Sequence, residues 1–124
     1  MSYLNDEVFD SGLDWIDANG TRLDICSQEP TTYGEATTDG AHSLGYKDGI
    51  SIAAPSDRGG GGREVVISAI TDGVVTETDT ATHWAITNGV DTLIATQELS
   101  TPQGVTDGNV FTLSEFAIGI PDPA

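Results

Sequence analysis

The chain has 124 residues, 37% of them hydrophobic, and sets 20 acidic side chains against 4 basic ones for a formal charge of −16. That length suits one domain with a single core, and a field of that sign repels phosphate backbones, which excludes ordinary nucleic-acid binding. The lone Cys26 excludes an internal disulfide and fits a reducing compartment, while residues 1–30 carry many acids and no apolar run, so neither a secretory signal nor a membrane span is expected.

In chain order, residues 2–10 are expected to form a short helix, with Ser2 as N-cap, Asp6 and Glu7 near the positive end of the dipole, and Leu4 and Val8 on one face. Gly12 ends it, so residues 1–12 are an N-terminal arm or short helix and residues 13–124 a β-sandwich domain. Residues 13–17 and 21–27 read as two strands around an Asn19-Gly20 hairpin turn, with Leu23 and Ile25 on one face of the second. The Thr-, Gly- and Pro-rich stretch 28–43 reads as a long loop with one brief edge strand at most, and is a candidate contact loop. Residues 44–54 have weak strand character, closed by Pro55.

Gly59 to Gly62 are consecutive glycines, expensive in backbone entropy to order, and mark a loop flanked by Arg58 and Arg63. Residues 63–70 give a strand with Val65, Ile67 and Ala69 on one face and Val66 and Ile70 on the other, so both faces are expected to be covered. Thr71-Asp72-Gly73 then turns the chain into a Thr-rich strand over 74–80. Residues 81–87 place Thr82, Trp84 and Ile86 on one side, with Trp84 as a core anchor. Asn88-Gly89 leads into a strand over 91–98, and the Asp107-Gly108 turn into a last one over 109–116. Short strands at intervals of roughly 8–12 residues predict an all-β fold, a single antiparallel β-sandwich or small barrel with a short N-terminal helix.

Residues with potential chemistry are sparse. His83 beside Trp84 would need a carboxylate or nucleophile in reach to act as a base, and His42 lies in the polar loop. Cys26 would need a nearby cation or His to become a nucleophile, and its strand position suits a small packing residue. The glycine run lacks the Gly-Lys-Ser/Thr ending and following helix of a phosphate loop. Glu77 and Asp79, two apart on one strand face, are oxygen donors without a calcium-loop spacing. With 20 acids present, no carboxylate pair singles itself out for glycoside hydrolysis. No catalytic residue, cofactor or metal site is assigned.

Several segments carry a resemblance: Thr82-His83-Trp84-Ala85-Ile86-Thr87, Leu93-Ile94-Ala95-Thr96, Leu99-Ser100-Thr101-Pro102, Val105 and Gly108-Asn109-Val110-Phe111-Thr112-Leu113. Together with Arg22-Leu23-Asp24-Ile25-Cys26 upstream and Ile118-Gly119-Ile120-Pro121 at the close, they resemble a family of small all-β tailed-phage virion proteins, the head decoration or tail-fibre-like proteins. The resemblance implies a non-enzymatic structural protein of the virion, assembled in the host cytoplasm. Its implied partners are the major capsid protein or other virion proteins, or copies of itself in the particle, with no nucleic acid and no membrane. A head decoration or cement protein on the outer capsid lattice is expected first, because the repeats of a fibre shaft are missing; a tail fibre, spike or baseplate component is the alternative. An acidic DNA mimic that occupies a host nuclease is the reading from another class, although these acids sit mostly in turns. The expected contact residues are Tyr3, Leu4 and Val8 of the arm, then Arg58 and Arg63, which concentrate half of the chain's positive charge at one tip.

Overall fold

The structure, a computed structural model, describes residues 3–4, 12–59 and 62–120. Among the described residues, ten strands and two short helices follow in the order β1 (Tyr3–Leu4), α1 (Leu13–Asn19), β2 (Arg22–Cys26), α2 (Tyr33–Thr37), β3 (Ser43–Asp48), β4 (Ser56–Asp57), β5 (Arg63–Ile67), β6 (Ile70–Val75), β7 (Asp79–Thr87), β8 (Leu93–Val105), β9 (Val110–Leu113) and β10 (Phe116–Ile120). They build a large antiparallel sheet of order β1-β8-β7-β2-β3-β6-β9 and a small one of order β10-β5-β4. The all-β antiparallel expectation is met.

Period-2 alternation decides what fills the space between the sheets. Leu23 and Ile25 of β2, Trp84 and Ile86 of β7, and Phe111 of β9 point inward from the large sheet, and Val65 and Ile67 of β5 meet them from the small one. Phe116, Ile118 and Ile120 of β10 pack against this core while Ala117 and Gly119 between them face out. Each fully buried Leu, Ile or Val contributes about 1.5–3 kcal/mol relative to exposure, so the alternating strands themselves carry most of the fold.

The large sheet is also covered on its other face. Residues 28–42 fold back over β2 and β7, burying Ala36 of α2 against Cys26, Ala85 and Leu93 as a second, smaller cluster. The expected loop therefore contains a helix. Its N-cap is Thr32, whose Oγ1 accepts from the Glu35 amide at 3.1 Å, and Glu35 Oε1 in turn accepts from the Thr31 amide at 2.8 Å. This is close to a reciprocal capping box.

Four further expectations change. Residues 13–17, expected as a strand, lie in the helix α1, because Leu13 and Ile16 fall one helical turn apart and both are buried. The expected Asn19-Gly20 hairpin is the end of that helix: Asn19 Nδ2 donates to the Trp15 carbonyl at 2.9 Å and the Gly20 amide to the Ile16 carbonyl at 2.7 Å. The strand over 63–70 breaks after Ile67, where the chain leaves the small sheet for the large one, which exposes Ala69 and buries Ile70. Thr71-Asp72-Gly73 lies within β6 as strand, and the turn comes instead at residues 76–78, splitting the expected strand over 74–80. Gly73 is there for space, since a side chain at that position would run into the Phe111 ring.

At the N-terminus, Tyr3 and Leu4 are strand instead of helix, paired with Thr96 and Ala95 of β8; the rest of the helix expected over 2–10 lies outside the described residues.

Candidate functional site

Antiparallel register lines up Ser43, Cys26, His83 and Glu98 in one row across β3, β2, β7 and β8. Cysteine, histidine and a carboxylate on one face are the residue types of thiol catalysis, but their contacts serve a different end. Cys26 is fully buried, and its Sγ lies 3.9 Å from the Ala36 carbonyl. Burial first, and then the charge of Asp24, pushes the thiol pKa up, away from the thiolate that nucleophilic attack requires. Thr82 Oγ1 donates to the Ser27 carbonyl at 2.9 Å, so the His83 Nδ1, also at 2.9 Å, acts as donor to that oxygen. The ring is thereby held against its own strand.

Beside this row sits a buried polar seam. Asp24 is wholly buried and accepts from Arg22 Nε at 2.8 Å, Arg22 Nη2 at 3.1 Å and Ser43 Oγ at 2.7 Å. The guanidinium also stacks over Tyr46 at 4.5 Å and reaches the Thr37 carbonyl at 3.4 Å, so the fork ties β2 and β3 to the cover. Burial raises the Asp24 pKa despite the hydrogen bonds from Arg22 and Ser43, while the hydrogen bond to Asp24 raises that of Arg22. Farther along, Thr96 Oγ1 donates to Glu29 Oε2 at 3.1 Å. The bonds from Arg22 to Thr37 and from Thr96 to Glu29 fasten residues 28–42 to the sheet.

The residues expected to make contacts are dispersed. The Tyr3 and Leu4 backbone extends the β8 edge, and Val8 lies outside the described residues. Arg63 Nη1 pairs with Asp57 at 2.7 Å and Nη2 donates to the Pro55 carbonyl at 3.2 Å, so its charge is matched locally. The Arg58 amide donates to the Gly62 carbonyl at 3.0 Å, closing the base of the glycine loop, and its side chain lies near Gly119 of β10. His42 Nε2 sits 2.9 Å from Gln28 Nε2 within the cover. Glu77 falls in the turn before β7, so it does not share a strand face with Asp79, the first residue of that strand.

Two surface features lie outside the expectations drawn from the sequence. Val74 and Val110 are register partners across β6 and β9, 47% and 64% exposed, and form a β-branched pair on the outer surface at an edge of the large sheet. The second feature is a groove of about 480 Å³ where β8 leaves the β7 ladder. Glu98 pairs with His83 and Gln103 with Ala81, so residues 99–102 stand opposite Thr82 alone. This oversized bulge pushes one wall outward. The β9–β10 connection, with Glu115, lines the other side, and the lining also includes Trp84 and Phe116, whose ring centroids are 4.5 Å apart. A signal was present in the sequence: Pro102 cannot donate to a ladder, so its place inside a β run marks an interruption.

Comparison with protein-family models, with curated proteins and with solved structures gives no match for this chain.

Proposed function

We propose that this chain is a non-enzymatic structural protein of a tailed-phage virion, a decoration protein that binds the outer capsid lattice. The observation that carries this reading is the Val74–Val110 pair. Two exposed β-branched side chains stand in register across the outermost strand β9 and its neighbour β6, on a chain whose net charge otherwise favours solvation. The resemblance of the β7 to β9 segments to phage virion proteins supplies the class of partner.

The mechanism is modest burial repeated many times. One sandwich seats its apolar edge on a capsid subunit, and a lattice of such contacts holds the shell more firmly than one contact holds one copy. The acidic remainder of the surface keeps decorated particles apart.

The test is addition of the purified chain to undecorated heads, with occupancy measured by sedimentation. Val74→Thr with Val110→Thr keeps β-branching and removes the apolar contact, so that variant is expected to fold and to lose most of the occupancy. Full occupancy by the variant moves the contact elsewhere, and co-purification of the native chain with tails in place of heads replaces decoration with a tail role.

A further inference from the structure

The groove lies between two strand edges. β8 and β9 are joined by a tight turn in which the Asn109 amide donates to the Thr106 carbonyl at 3.0 Å, the start of a hairpin. Continued, that hairpin would set Val105 opposite Val110 and Gln103 opposite Thr112. No such ladder forms among the described residues: β8 pairs with β7 and β9 with β6, and the two arms diverge. At 103 and 112 a side chain stands in for the backbone, with Gln103 Nε2 donating to the Thr112 carbonyl at 3.0 Å. Residues 97–101 then line one side of an open seam and residues 112–116 the other.

We infer that this seam accepts an extended segment of a partner protein, which adds to the free edge of β8 as a strand carrying apolar, non-acidic side chains. The inference uses backbone edges and not the Val74–Val110 pair, so it stands whichever particle the partner belongs to.

The edge is open over a long stretch. One side of β8 is taken by β7; on the other, among the described residues, only Ala95 and Thr96 have partners, from β1. Residues 99–102 stand opposite Thr82 alone, outside the regular β7 register. An unpaired strand edge is a template for a further strand.

β1 is the precedent for the occupant. Tyr3 and Leu4 are an extended segment from a distant part of the chain, held antiparallel on this same edge opposite Thr96 and Ala95. A strand entering in line with β1 and in the same register comes opposite Gln97 and then Glu98, which leads it into the seam. Its side chains find apolar surface there, since Leu99, Leu113 and Phe116 line the groove and are only partly buried against the core. Acidic side chains are disfavoured by a chain of charge −16 with no basic residue among those lining the groove.

The experiment supplies the strand in cis, so that no partner need be identified. The full chain, isotopically labelled, carries Thr-Val-Thr-Val-Thr ahead of Ser2, and amide exchange is followed residue by residue. Exchange within residues 97–101 is expected to slow at least about tenfold, and the melting temperature to rise. A Pro-Val-Pro-Val-Pro extension lacks the amides for a ladder and should leave both unchanged. A Thr-Glu-Thr-Glu-Thr extension should protect at least about threefold less than the valine form. No protection by the valine form overturns the inference. Equal protection by the proline form replaces strand addition with shielding by any tail, and equal protection by the glutamate form overturns the chemistry assigned to the partner. Protection in the unextended chain that grows with its own concentration makes the occupant a second copy and overturns the partner.

Discussion

The ring of Phe111 occupies the volume that a side chain at Gly73 would need, and the two residues are register partners across β6 and β9. They form one packing unit: the glycine makes room and the ring fills it, closing the core beneath the outermost strand. Phe111→Ala is expected to cost about 3–5 kcal/mol and Gly73→Ala about 1–3 kcal/mol. The double variant should lose less than the sum, because the second change occupies space the first has opened. Denaturant unfolding of the three variants measures this, and strict additivity would separate the two residues.

Trp84 is 5% exposed and rests on Phe116 between the two sheets. Trp84→Ala should destabilise by about 3–5 kcal/mol. A loss below about 1 kcal/mol would take the indole out of the core and contradict the packing of β7 against β10.

Cys26 should be inert in the native chain. Its thiol is buried under α2 and its pKa is pushed up by burial and then by Asp24, so little thiolate forms. Iodoacetamide at mildly alkaline pH is expected to label it only after denaturation, at a rate that follows unfolding. Rapid labelling of the folded chain would show that the cover over 28–42 opens readily.

The buried Asp24 gives stability a pH dependence of defined sign. Burial raises its folded pKa above the unfolded value, so the native chain binds this proton more readily than the unfolded chain does. Its contribution is complete below the unfolded pKa of about 3.9 and is lost as pH rises through the folded value. Asp91 runs the other way: hydrogen bonds from Asn88 and Thr92 lower its pKa, so its share is lost as pH falls. Denaturation midpoints should therefore rise as pH falls through the folded pKa of Asp24, and Asp24→Asn should flatten that rise. Unchanged curvature in the variant would remove Asp24 as a contributor.

Alternation in β2, β5 and β7 was enough to place Leu23, Ile25, Val65, Ile67, Trp84 and Ile86 in a core, because a strand with one apolar face has one way to bury it. Turn chemistry was less dependable. Asn19-Gly20 and Asp72-Gly73 carry the same letters as hairpin turns, yet one ends a helix and the other lies in a strand beneath an aromatic ring. Local sequence offers the backbone several conformations, and the choice fell to residues far along the chain. Thr32 and Glu35 did announce the start of α2, a spacing legible without any structure.

The composition and β patterning of this sequence determined by themselves an acidic all-β chain with Trp84 inside it. Only the tertiary structure decided which faces are doubly covered, that Cys26, His83 and Glu98 share a row without acting together, and that the interruption of β8 and the β9–β10 connection line one groove. The physical reason is that alternation is a property of neighbours a few residues apart, whereas a row or a groove depends on register between strands, set by packing of the whole sheet at once.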